Sequence, residues 1–178
     1  MEGSIYYDSF TSVVAKLKES GRGLLLAKLD LRDAYRHIPV FGTDWNLLGF
    51  HWMGKFYYPV VLMFGGKLAP YIFNLFSEAL HWIIQKHIPV RLWHYLDNFL
   101  PIFNPSVMAQ VANSAINWIK DMAKDLGLSI QPKKTVRSTT CLEFFGLELD
   151  SVTMEARLPL ERFAYLQEAL LEWETCRC

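Results

Sequence analysis

Along the chain the apolar positions change period, and the changes mark the elements. Leu24–Leu31 is a near-continuous apolar run ending on acidic residues, the pattern of a buried strand. Before it, Ser12–Lys18 fits a short helix stopped by Gly21-Arg22-Gly23, and after it Asp33–His37 is too short for a long helix. Leu47–Met53 and Phe56–Leu62 flank the turn pair Gly54-Lys55 and predict a hairpin. From Pro70, residues Ile72, Phe76, Ala79, Leu80, Ile83 and Ile84 recur at helical spacing until Pro89. Val90–Tyr95 and Phe99–Phe103 predict a second hairpin around Leu96-Asp97-Asn98. Asn104-Pro105-Ser106 starts another helix, with Val111, Ala115, Ile119, Met122 and Leu126 on one face and Gly127 as its cap. Leu142–Leu149 and Val152–Arg157 read as strands, and Pro159 begins a helix carrying Leu160, Phe163, Leu166, Leu170 and Trp173. Strands that come in hairpins, interleaved with helices, predict a single α+β domain over 1–178: an antiparallel sheet with helices packed on one face.

Composition narrows the class. Apolar residues make up 52% of the 178 positions and charged residues 20%, which excludes a disordered chain and leaves enough for a core. The formal net charge is zero, so global charge does not announce a nucleic-acid binder. The balance is uneven, however: residues 1–140 hold 15 Lys/Arg and 10 Asp/Glu, and residues 141–178 hold 3 and 8. Cys141, Cys176 and Cys178 do not make a disulfide framework, and Cys176 and Cys178 read as free thiols rather than half of a metal site. Met1–Asp8 has no apolar signal region, and no apolar run approaches the ~20 residues of a membrane span. The expectation is an intracellular protein, cytoplasmic or nuclear, not secreted and with no membrane partner.

Three features could carry chemistry. Asp30 ends the first apolar strand, where a carboxylate ordinarily caps the next turn. Tyr95-Leu96-Asp97-Asn98 is ordinary hairpin-turn composition. Phe64-Gly65-Gly66-Lys67 precedes a helix, a weak phosphate signal without a GxxxxGK[ST] or GxGxxG pattern. Together they say more. Two carboxylates at the ends of paired strands form a site for Mg²⁺, a hard cation that takes oxygen ligands.

The combination resembles the palm of reverse transcriptases, and among them the polymerases of retrotransposons that carry a tyrosine recombinase (the DIRS group). The resemblance runs from Tyr6 to Trp173. LAKLDLRDAYRHIPV at 26–40 resembles the first catalytic motif, and 44–74 resembles the stretch through the second. HYLDNFL at 94–100 resembles the Tyr-x-Asp-Asp motif, GLSIQPKKT at 127–135 the lysine-containing motif, and LEFFGLELD at 142–150 the primer grip. The resemblance implies a polymerase palm that adds deoxynucleotides to a primer 3′-hydroxyl on an RNA template. It implies two Mg²⁺ (or Mn²⁺) ions, one activating that hydroxyl and one stabilising the pyrophosphate. Asp30, Asp97 and Lys134 (or Lys133) would be catalytic, and Asp30, the Leu31 carbonyl, Asp97 and Asn98 would hold metal. Tyr35 would be the steric gate against a 2′-hydroxyl. Phe64, Gly65 and Lys67 would line the substrate pocket, and Phe145 and Gly146 the primer grip.

Three departures bear on activity. The family's third aspartate is Asn98 here, which keeps an oxygen ligand but removes one negative charge. In the second motif Leu68 stands where a small polar residue is usual. The family's fingers would lie before residue 1, and the thumb would be largely missing after about residue 158. Two readings follow: an RNA-directed DNA polymerase domain weakened by Asn98, or a catalytically dead remnant or domesticated module that binds RNA or protein.

Overall fold

The computed structural model describes residues 10–175. Met1–Asp8, Cys176 and Cys178 lie outside that range, so the readings placed on them stay as they stand.

The chain is organised around β1 (Leu25–Asp30), which lies inside a four-stranded antiparallel sheet. Its neighbours are β5 (Asn98–Phe103) on one side and β6 (Val136–Thr139) on the other, and β4 (Arg91–Tyr95) pairs outside β5. A strand with neighbours on both sides and layers on both faces has no position for a solvated residue. That accounts for the near-continuous apolar spelling of 24–31, interrupted at Lys28 and Asp30. Its alternation divides the core in two: Ala27, Leu29 and Leu31 join one buried cluster, Leu24 and Leu26 the other.

Two long helices cover the first face, as expected. In α2 (Ala69–His87) the buried stripe is Ala69, Phe73, Ser77, Leu80 and Ile84. Ile72 and Phe76, expected inside, are each 37% exposed. The sequence misleads here because Ser77 sits on the core side, where its hydroxyl donates back to the Phe73 carbonyl at 3.3 Å and so needs no water. In α3 (Ala109–Asp125) the buried residues are Ala112, Ile116, Ile119 and Ala123, while Val111 and Leu126 face outward. Two alanines bring the helix close to the sheet, a preference for small residues that a purely apolar stripe does not reveal. Gly127, at φ 78, ends α3 as expected, and Leu128 N–H donates to the Ala123 carbonyl.

The opposite face is covered by α1 (Phe10–Ser20) through Val13 and Leu17, and by a second sheet. The latter comprises β7 (Cys141–Phe144), β8 (Leu147–Asp150) and β9 (Glu155–Arg157). The single strand expected over 142–149 is thus a hairpin. Phe145 and Gly146 both adopt positive φ, 53° and 75°, and reverse the chain in two residues. Leu142, Phe144 and Leu149 pack on Trp93, Leu100 and Ile102. Buried Ser151 ties the layers, its hydroxyl donating to the Leu24 carbonyl at 2.7 Å.

Other differences are local. The 47–62 hairpin shrinks to β2 (Phe50–Trp52) and β3 (Lys55–Tyr57), all exposed, and turns at Met53-Gly54 rather than Gly54-Lys55. β6, spelled Val-Arg-Ser-Thr, has too weak an alternation to be anticipated. The last helix, α4 (Leu160–Thr175), has no buried residue. Among the described residues no helix is long and apolar enough to cross a membrane.

This division of labour is testable by denaturant unfolding. Phe144→Ala, which empties a site 1% exposed, is expected to cost about 3–5 kcal/mol. Leu171→Ala on α4, 64% exposed, is expected to stay within about 0.5 kcal/mol of the parent.

Candidate active site

The site begins with strand register. Asp30 is the last residue of β1 and pairs with Asn98, the first of β5. The β4–β5 hairpin closes through only Leu96 and Asp97, since Tyr95 pairs with Asn98. Leu96 takes φ 52, a left-handed backbone that disfavours a branched residue, while Asp97 does not. The turn thus begins one residue earlier than its Asp-Asn composition suggests, and Asn98 belongs to the strand. The Leu31 amide donates to the Asp97 carbonyl at 2.8 Å, which fixes the end of β1 against the turn. Asp30 and Asp97, 67 positions apart in sequence, are thereby held side by side.

From the other edge, Gln131 N–H donates to the Asp30 carbonyl and Arg32 N–H to the Ser129 carbonyl. These bonds seat the turn Pro132–Lys134 next to β1. Lys134 Nζ lies 3.2 Å from Asp30 Oδ2. Of the two candidate lysines, the structure brings Lys134 to the carboxylate. Asp30 itself is 3% exposed, so a buried carboxylate has one mobile, exposed cation as its partner.

Burial pushes the Asp97 carboxyl pKa up from its ordinary value. Its own backbone N–H opposes this, the nearby Asp30 charge reinforces it, and the Asn98 side-chain hydrogen bond opposes it again. Asn98 Nδ2 donates to Asp97 Oδ1 at 3.1 Å. Where a third carboxylate would add repulsion, the amide supplies a donor.

These groups open on a cleft of about 340 Å³ lined by Asp30, Leu31, Phe64, Asp97 and Lys134, together with Arg32, Asp33 and Arg36. The donor set fits a hard cation. Two oxygen-bearing acids stand close enough that one raises the proton affinity of the other, and a bound cation relieves that repulsion. Among the described residues there is no group of three or more His, Cys, Asp or Glu that could hold a metal. Mg²⁺ is commonly held by one or two carboxylates, with substrate phosphates completing its shell.

Tyr35 is 8% exposed and lies behind the cleft rather than on its wall. Its ring meets Phe64 edge-on at 4.6 Å and Phe73 at 5.1 Å. It thus backs Phe64, which is 72% exposed. Gly65 takes φ 88 in the loop before α2, where a side chain would be strained. Lys67 is exposed and does not line the cleft. Phe145 and Gly146 are not on the cleft either; Phe145 packs at 5.1 Å on Tyr95, the residue before the Leu96-Asp97 turn. Lys28, on the same strand as Asp30, donates to the Glu143 carbonyl of β7 at 3.3 Å and holds that hairpin in place.

The sequence reading missed Arg32 and Arg36. Both stand within six residues of Asp30 in LDLRDAYR, and that short-range clustering of base with acid was the available signal.

Comparison with known proteins identifies the family. The family model for reverse transcriptase (RNA-dependent DNA polymerase) matches residues 2–149. Protein P of duck hepatitis B virus (strain Germany/DHBV-3) is 28% identical over 160 residues, covering 88% of this chain and 20% of that protein. Protein P of heron hepatitis B virus is 26% identical over 134 residues, 75% of this chain and 17% of that protein. The chain therefore spans about a fifth of the length of these relatives. The foamy viral protease-reverse transcriptase in complex with double-stranded DNA superposes with a TM-score of 0.72 at 16% identity, over 94% of this chain and 32% of that one. The same enzyme in complex with an RNA/DNA hybrid gives 0.67 at 18% identity, over 80% and 18%. With that family model matching residues 2–149 of its 178, this chain belongs to the reverse transcriptase (RNA-dependent DNA polymerase) family.

Proposed function

We propose that this chain is the palm of an RNA-directed DNA polymerase and that Asp30 and Asp97 are its metal-binding carboxylates. The observation that carries the reading is the Asp30–Asn98 register, which sets both aspartates at one end of one sheet. The narrower placement, with polymerases of retrotransposons that carry a tyrosine recombinase, rests on the spelling of 26–40 and 44–74. RNA template, DNA primer and deoxynucleoside triphosphates are the partners this reading requires.

In this reading Asp30 and Asp97, with the Asn98 and Leu31 carbonyls as further oxygen donors, would hold divalent cations, whose chemistry would be to lower the pKa of the primer hydroxyl and stabilise charge on the pyrophosphate. The residues of the chain do the rest. Asp30 is held rigid by the sheet, so its carboxylate needs little reorganisation to bind. Lys134 reaches Asp30 on a flexible stem, and the same ammonium serves the departing pyrophosphate as a charge partner. Tyr35 sets the depth of the pocket behind Phe64, which favours a sugar without a 2′-hydroxyl. Phe145, resting on Tyr95, couples the primer-grip hairpin to the turn that carries Asp97.

Primer extension on an RNA template with deoxynucleotides tests this, in Mg²⁺ and in Mn²⁺. Outer-shell partners of a metal site are already worth about 10–100-fold, so Asp97→Asn is expected to lower extension by about 100-fold or more. Asn98→Asp restores a ligand charge and is expected to lower the Mg²⁺ concentration needed for half-maximal rate by about tenfold. No extension by any of three folded proteins (parent, Asn98→Asp, Asp97→Asn) would overturn the polymerase reading and leave the binding-module alternative.

A melting series supplies an independent check of the site. The native Asp97 pKa is raised, so the native state holds its proton more tightly than the unfolded chain does. Stability from this group is therefore fully present below the ordinary carboxylate pKa and is lost as pH rises through the raised value. Asp97→Asn removes that loss. The variant is expected to melt slightly above the parent at neutral pH, with the gap closing as pH falls through the carboxylate range.

A further inference from the structure

The loop after Asp30 places two arginines, Arg32 and Arg36, on the wall of the cleft that holds Asp30, Asp97 and Lys134. The short 3-10 turn Ala34–His37 fixes their spacing. Arg36 N–H donates to the Asp33 carbonyl at 2.7 Å, and His37 Nε2 lies 2.7 Å from the Arg32 carbonyl. Both stems thus leave a braced loop.

The charges lining the cleft are three acids, Asp30, Asp33 and Asp97, and three bases, Arg32, Arg36 and Lys134. Lys134 is matched to Asp30 at 3.2 Å, and Arg32 Nε to Asp33 Oδ2 at 3.3 Å. Arg36 makes no ion pair among the described residues, although it faces the same space. Arg32 remains 59% exposed and commits one of its five N–H donors to Asp33. The cleft therefore presents carboxylates suited to a cation together with guanidinium forks suited to phosphate oxygens.

We propose that Arg32 and Arg36 dock the β- and γ-phosphates of the incoming nucleotide, which makes part of the triphosphate grip intrinsic to the loop that carries Asp30. This rests on the polymerase reading and assigns two further binding residues to it. A ligand that carries both metal-bridging oxygens and a chain of negative charge matches this pairing of groups. A nucleic-acid strand spreads its phosphates over an extended surface, whereas these groups converge on one cleft.

The test is equilibrium binding of a fluorescent deoxynucleoside triphosphate, and of the matching monophosphate, to the full chain with Mg²⁺. The proteins compared are the parent, Arg32→Gln, Arg36→Gln, the double variant, Arg36→Lys and Asp30→Asn. Thermal melts confirm that each is folded. Triphosphate affinity is expected to fall roughly tenfold for each arginine removed and about a hundredfold for both, with monophosphate affinity unchanged and partial recovery in Arg36→Lys. Unchanged triphosphate affinity in the double variant, with Asp30→Asn still weakening it, would overturn the arginine assignment and leave the polymerase reading intact. So would equal loss for triphosphate and monophosphate. A folded parent that binds no nucleotide triphosphate would overturn the polymerase reading, and the arginine assignment with it.

Discussion

The structure depends on one pairing: β1 against β5, in a register that puts Asp30 opposite Asn98. Shift it by one residue and every side chain of β1 changes face. Leu26 would leave its cluster, Leu29 would leave the helices, and Asp30 would turn away from the Asp97 turn. The apolar alternation that fills two cores is thus the same device that aims the carboxylate. Selection for packing and selection for the site act on the same few residues, and neither can be relaxed alone.

Electrostatics at the end of that pairing is a balance rather than a sum. Two acids stand close in a partly desolvated place, and the chain tempers this in three ways. Lys134 reaches Asp30, the Asp97 carboxylate accepts from its own N–H, and Asn98 donates to Asp97. Replacing a third acid by Asn98 lowers repulsion in the absence of a cation and lowers the attraction for one.

Much of this was legible in the sequence, for identifiable reasons. β1 is apolar on both faces, so its burial is written in its spelling. The helix ends were readable where Pro70 and Gly127 impose backbone limits. The helix faces were less readable, because Ser77 satisfies its own hydroxyl inside and the alanines of α3 carry little apolar signal. The Phe145-Gly146 reversal was hidden because a bulky residue at φ 53 contradicts its own preference, and its packing on Tyr95, Phe144 and Phe10 holds it there. At the site, the identities of Asp30, Asp97 and Lys134 came from motif order. Their meeting is a property of the fold that no local pattern encodes, whereas Arg32 and Arg36 stand beside Asp30 in the spelling itself.

The Lys134–Asp30 pair closes a separation of 104 residues. Contacts that distant in sequence carry the largest loop-closure cost and slow a chain's folding. During synthesis, Asp30 emerges long before its partner, and it leaves the ribosome as an acid with no ammonium to meet. A fragment that stops short of the Pro132–Lys134 turn would carry both aspartates and lack their counter-charge. The site is therefore completed late, near the end of translation of this region, and premature products cannot assemble it.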